Sequence, residues 1–139
     1  MNLAAEFIME LNVECVKELD VGRGLDGHLK VIGIVGGTFT GKLSGIIIPG
    51  GADWNTQKQG NIGHVFAKYL IQTNDGEYIA IENSGVIDFA DNTSIIKTTP
   101  RFTADYNGKY GWLNKGVYVA SLQGSEVPNS VNIKVYKML

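Results

Sequence analysis

The stretch Phe7-Ile8-Met9-Glu10-Leu11-Asn12-Val13-Glu14-Cys15 decides the fold class. From Met9 onward it alternates strictly. Phe7, Met9, Leu11, Val13 and Cys15 fall on one face, and Glu10, Asn12 and Glu14 fall on the other. A period of two is the signature of a strand with one face on a core and one in water.

Working outward, the polar segment from Lys17 to His28 reads as a long loop. Leu29 to Val35 reads as a second strand ended by Gly36-Gly37, and Lys42 to Ile48 as a third ended by Pro49-Gly50-Gly51. Val65 to Thr73 and Glu77 to Asn83 flank Asn74-Asp75-Gly76 and predict a hairpin. Asp-Gly favours a two-residue type I′ turn, because both central residues need positive φ. That register places Tyr69 opposite Glu82 and Lys68 opposite Asn83. Val65, Ala67, Tyr69 and Ile71 would then share a face with Tyr78, Ala80 and Glu82, and a slip of one residue would exchange the faces. Further strands are expected at Ile95 to Thr103, Trp112 to Ser121 and Val131 to Tyr136, with at best one helical turn between Asp88 and Thr93. About eight strands with turn signals between them, and no 3.6-residue period, predict an all-β sandwich or antiparallel barrel in one domain spanning residues 1–139.

The bulk numbers agree. A chain of 139 residues can bury a core without a metal or disulfide, and 18 glycines against three prolines suit tight turns and close backbone approaches. Net charge is −2 with the basic residues dispersed, so nucleic acid is not an expected partner. A single cysteine, Cys15, fits a reducing compartment. The N-terminus lacks a positive leader region, and no apolar run reaches the roughly 20 residues that span a bilayer. Cytoplasmic residence without membrane attachment is the expectation.

Most apparent motifs fail on their own chemistry. Gly36-Gly37-Thr38-Phe39-Thr40-Gly41-Lys42 matches a P-loop until Leu43, where Ser or Thr must hold magnesium, and a strand-like run follows in place of a helix. A Gly-rich hairpin turn is the better reading. Cys15, His28 and His64 have no metal-ligand spacing, so no metal is expected. Cys15 reads as a small buried hydrophobe. Asn92-Thr93-Ser94 is a glycosylation sequon without consequence in the cytoplasm. Pro49-Gly50-Gly51-Ala52-Asp53-Trp54 unites an acid and an indole at a turn, and Thr99-Pro100-Arg101-Phe102 places a proline in a strand, where a bulge could aim Arg101 inward.

Gly36-Gly37-Thr38-Phe39, Pro49-Gly50-Gly51-Ala52-Asp53-Trp54, Tyr69 with Asp75-Gly76, Gly85, Pro100-Arg101-Phe102 and Trp112-Leu113-Asn114 occur in an order that resembles the domain-of-unknown-function 3237 family (UPF0311-type small microbial proteins). The resemblance runs from about Phe7 to Tyr136. It implies a closed or nearly closed antiparallel β-barrel and no established chemistry. Lys68 departs from the family pattern, which has Arg before the Tyr, and so loses bidentate geometry.

A barrel of about eight to ten strands can be filled by side chains or hold one small ligand. The candidates for a site at its mouth are Asp53, Trp54, Lys68, Tyr69, Glu82, Asn83, Arg101, Trp112 and Asn114. The leading expectation is a barrel that binds a small oxygenated or anionic molecule, with Arg101 or Lys68 pairing its charge and the tryptophans stacking on it. The alternative is an isomerase, dehydratase or lactone hydrolase without a cofactor. In that reading Asp53 or Glu82 is the base, and Tyr69 or Arg101 stabilises an oxyanion. A structural or assembly protein is the third reading. Glu10, Asn12 and Glu14 mark the first strand as the barrel seam or a homodimer interface.

Overall fold

The computed structural model describes residues 1–91 and 95–139. The sequon, and the end of the helical turn expected at Asp88 to Thr93, lie outside the described residues. Nine strands follow one another: β1 (Ala5–Cys15), β2 (Leu19–Gly24), β3 (Gly27–Gly41), β4 (Gly45–Gln57), β5 (Ile62–Thr73), β6 (Tyr78–Asp88), β7 (Ile96–Thr103), β8 (Tyr118–Gly124) and β9 (Ser130–Met138). Neighbours from β2 to β8 pair antiparallel, β9 pairs β8, and β1 lies between β9 and β3. The β1–β3 contact closes an eight-stranded antiparallel barrel, as expected. β2 stays outside the ring as a short hairpin arm on β3.

Alternation builds the core. Leu11, Phe39, Ile47, Ile71, Ile81, Phe102, Ala120 and Ile133 each come from a different barrel strand and meet inside. Leu11 and Ile71 are wholly sequestered, so truncating either to Ala should cost about 2–5 kcal/mol. On β1 a bulge between Phe7 and Met9 turns Ile8 inward and Phe7 outward, where it packs edge-on against Tyr136 at 5.7 Å. Phe7 therefore does not share the inner face with Met9. The bulge adds a residue, and period two changes face with it.

Several boundaries differ from the expectation. Lys17 to His28 is not all loop, because β2 pairs with the start of β3. Gly36 to Gly41 is not a turn but the second half of β3, laid against β1. A Cβ on Gly37 would stand 2.0 Å from the Asn12 carbonyl oxygen. The glycine there permits close approach of two backbones. Pro49-Gly50-Gly51 is likewise a bulge within one long strand: Ile48 faces Leu70, and the next pair is Ala52 with Lys68. The β5–β6 hairpin closes through residues 74–76, with Thr73 N–H donating to the Glu77 carbonyl at 2.9 Å. Only Gly76 of these three takes positive φ, +92°. A three-residue loop pairs Lys68 with Glu82 and Tyr69 with Ile81, one residue from the type I′ register.

The two ends of the barrel differ. One is plugged by the segment after β7, where a short 3-10 turn, Gly111–Asn114, drives Leu113 into the core beside buried Tyr110. Trp112 to Val117 is therefore not strand. Tyr118 and Phe102 seal that end with an edge-on contact at 5.1 Å. The other end is open. Among the described residues no helix is long and apolar enough to cross a membrane.

Candidate functional site

The open end leads into a cavity of about 430 Å³. Its wall is mostly apolar: Val13 from β1, Ile32 and Ile34 from β3, Ala67 from β5, Leu122 from β8, and Val131 and Ile133 from β9. Into this wall project Cys15, Asp53 and Tyr69, with Lys17 and Glu18 at the rim.

Asp53 reaches the interior because the β4 bulge inserts two residues against β5. Alternation is preserved, so Asp53 lies on the inner face with Ile47. Its partners across the ladders are Ile32 and Ala67. The Phe66 backbone N–H donates to its Oδ1 at 3.2 Å. Oδ2 has no hydrogen-bond partner among the described residues. Burial pushes the carboxyl above its ordinary pKa; the Phe66 N–H and the charge of His64 pull the other way. Tyr69 is 4% exposed, and burial, assisted by Cys15, holds its phenol protonated far above the ordinary range. Burial and the neighbouring Asp53 raise the Cys15 thiol. The trio offers a carboxyl whose neutral form burial favours, a protonated phenol donor and a neutral thiol. A thiol with a raised pKa is a poor nucleophile at neutral pH.

Of the residues expected to share a site, the structure brings only Asp53, Tyr69 and Asn83 inside. Trp54 is 50% exposed on the outer wall. Lys68 and Glu82 also face outward and pair at 3.5 Å, and Arg101 stands exposed beside Glu82 on β7. Arg101 therefore does not meet Asp53. No bulge interrupts the β6–β7 ladder between Ala80 and Ser84, so period two keeps Arg101 outside while Pro100 and Phe102 point in. Glu82 moves outward with the hairpin register. Trp112 and Asn114 belong to the plug at the far end. Asn114 is a clamp: its Oδ1 accepts from the Ala104 N–H, and its Nδ2 donates to the Ala104 carbonyl, both at 2.9 Å. The seam expectation for β1 holds, but β1 is paired on both sides, and Asn132 Nδ2 donates to Glu10 Oε2 at 2.9 Å and to Asn12 Oδ1 at 3.0 Å. Among the described residues the unpaired edge of the sheet belongs to β2, which pairs with β3 alone.

The apolar wall and Cys15 were not anticipated as site residues. The signal lay in β1, whose inner face runs from core at Leu11 to cavity at Cys15 without a change of pattern. A wider hollow of about 640 Å³ opens on the outer flank between β6, β7 and β8. It carries no acid, and the interior cavity with its perturbed groups is the better candidate.

The family model described as "Protein of unknown function (DUF3237)" matches residues 3–138. A UPF0311 protein of Bradyrhizobium diazoefficiens is 30% identical over 109 residues, covering 68% of this chain and 71% of that protein. A UPF0311 protein of Clostridium acetobutylicum is 28% identical across 99% of this chain and 94% of its own length. Among solved structures, a beta-barrel like protein from Acinetobacter baumannii superposes with a TM-score of 0.86 at 26% identity, covering 100% of this chain and 98% of that one. A Penicillium herquei protein described as an enzyme superposes with a TM-score of 0.78 at 20% identity, covering 100% of this chain and 96% of its own, a likeness of fold.

Proposed function

The chain belongs to the DUF3237 family, whose description assigns no chemistry, and we propose that the open end of its barrel binds a small, largely apolar molecule through a hydroxyl or carbonyl group. The observation that carries this reading is Asp53. A carboxyl with one uncommitted oxygen, set in an apolar wall, costs stability that simple packing would avoid. The buried part of the ligand is better uncharged than anionic, because the cations expected to pair an anion, Lys68 and Arg101, stand outside the barrel, and the cation that does line the cavity, Lys17, is at its rim beside Glu18.

The raised pKa of Asp53 favours a second reading within the same cavity: acid–base catalysis without a cofactor, of the isomerase, dehydratase or lactone-hydrolase type. A carboxyl whose neutral form burial favours can serve both as proton acceptor and as proton donor. Tyr69, held protonated, would donate to a developing oxyanion. Glu82 and Arg101 have no part in this version.

Titration with the neutral, environment-sensitive dye N-phenyl-1-naphthylamine tests the binding reading. Saturable enhancement is expected, and Ala67→Phe, which fills the cavity from its wall, should weaken it about tenfold or more. Enhancement unchanged by Ala67→Phe, or none at all, would contradict it.

A further inference from the structure

Asp53 on β4, Ala67 on β5 and Asn83 on β6 are successive partners across two ladders, so they form one row on the inner face of the barrel. Ala67 has the smallest side chain of the three, and it lies in the cavity wall. Asn83, next in the row and one strand beyond the residues that line the cavity, is 3% exposed, and its Oδ1 is sealed from solvent without a hydrogen-bond partner among the described residues. Its neighbour on the other side is Pro100, which has no N–H to give. Thr98 Oγ1, on the same strand as Pro100, is likewise buried without a partner among the described residues. Native interiors seldom leave such groups unmatched. A barrel that needed only packing at this position would carry Leu or Ile, as it does at Ile81 and Ile79, two and four residues earlier on the same face.

The geometry points to Asn83 as a second polar anchor of the same site, receiving a hydrogen-bond donor from a ligand that lies across Ala67 with its other oxygen on Asp53. This assignment rests on the cavity being a binding site. It narrows the ligand class to uncharged molecules with two oxygen functions on an apolar, flat frame. Strands are about 4.8 Å apart, so Asp53 and Asn83 stand about 10 Å apart at their backbones. Ala67 is then a specificity residue, because a larger side chain between the anchors would separate them.

Paired probes test this: 2-naphthol, with one hydroxyl, and 2,7-dihydroxynaphthalene, with two, titrated by calorimetry against the wild-type chain and Asn83→Leu. The wild type should prefer the diol by about tenfold, and Asn83→Leu should erase the preference while keeping 2-naphthol affinity. In the wild type the Asn83 side-chain amide resonances should shift with the diol and stay in place with 2-naphthol, a readout that survives if Asn83→Leu fails to fold. Equal binding of the two probes to the wild type, or a preference that persists in Asn83→Leu, would overturn the Asn83 assignment and leave the cavity reading standing. So would an Asn83 amide that contacts only a long-lived internal water while the diol is bound. Failure of both probes to bind the wild type would overturn both.

Discussion

Tyr110 donates its hydroxyl proton to Asp75 Oδ1 at 2.9 Å, and through that bond the plug at the closed end is tied to the tip of the β5–β6 hairpin. The same oxygen accepts from Thr73 Oγ1 at 2.6 Å, and Lys109 Nζ lies 3.4 Å from Oδ2. A turn residue whose sequence context suggests only hairpin chemistry is thus the anchor of the barrel's lid.

Tyr110→Phe should therefore loosen the plug and lower the melting temperature by roughly 3 °C or more, the effect of one lost hydrogen bond to a charged acceptor in a domain of this size. The Asp75 carboxyl sits below its ordinary pKa, chiefly through Thr73 and then Tyr110. A lowered folded-state pKa means stability that is present above the unfolded value near 4 and is lost as pH falls through the folded one. Asp75→Asn should then be less stable than the wild type at pH 7, with the gap closing below about pH 4. A gap independent of pH would contradict this.

Two glycines should respond differently to substitution. Gly76 has φ +92° and open space around it, so Gly76→Val should cost about 1 kcal/mol or more, all of it backbone strain. Gly37 has φ +130°, and a Cβ would meet the Asn12 carbonyl. Gly37→Ala should cost more than Gly76→Val, because it also forces β1 away from β3 and opens the barrel. Denaturant midpoints check the order; Gly37→Ala with the smaller effect would mean the β1–β3 seam is slack.

Asp53 should show the mark of a functional residue held at the expense of stability. Its folded-state pKa is raised by burial, so it favours the fold most when protonated and loses that advantage as pH rises through the folded value. An asparagine at this position has no charge to bury and can still accept from the Phe66 N–H. Asp53→Asn should stabilise the protein on the order of 1 kcal/mol at pH 7, with the gain fading below about pH 4. Thermal melts across that range read it directly, and a destabilised Asp53→Asn at pH 7 would contradict it.

Cys15 reports on the same cavity. Its thiol is raised by burial and then by Asp53, so a disulfide reagent at pH 8 should label it roughly tenfold or more slowly than an unfolded cysteine. Asp53→Asn should speed labelling by removing one of the two causes. Equal rates in the two proteins would separate Cys15 from Asp53.

How much of this was legible in the sequence follows from the range of each signal. Period-two alternation is local, and it identified β1, the hairpin and the last strand; it left sandwich and barrel open, and the closed barrel was what the family resemblance implied. The two longest strands were cut short because Gly36-Gly37 and Pro49-Gly50-Gly51 carry the residues of turns. Only the facing backbones, Asn12 at 2.0 Å from the Gly37 Cβ position or Lys68 opposite Ala52, show them to be a close approach and a bulge. The hairpin register missed by one because a three-residue loop and a two-residue turn both accept Asp75-Gly76, and that single step moved Glu82 from inside to outside. Asp53 was found from its company with glycines and Trp54, yet Trp54 itself faces out. Arg101 was lost for the opposite reason: a proline within a strand suggested a bulge that the β6–β7 ladder does not contain.

The most direct measurement is the map of methyl and amide shifts in the isotope-labelled protein on addition of 2-naphthol. The expected result is a saturable set of shifts confined to Val13, Ile32, Ile34, Ala67, Val131 and Ile133, with Asp53 and Tyr69 among the amides that move. Shifts that cluster instead on the outer wall around Trp54, Lys68 and Arg101, or no shifts at millimolar ligand, would contradict an interior binding site.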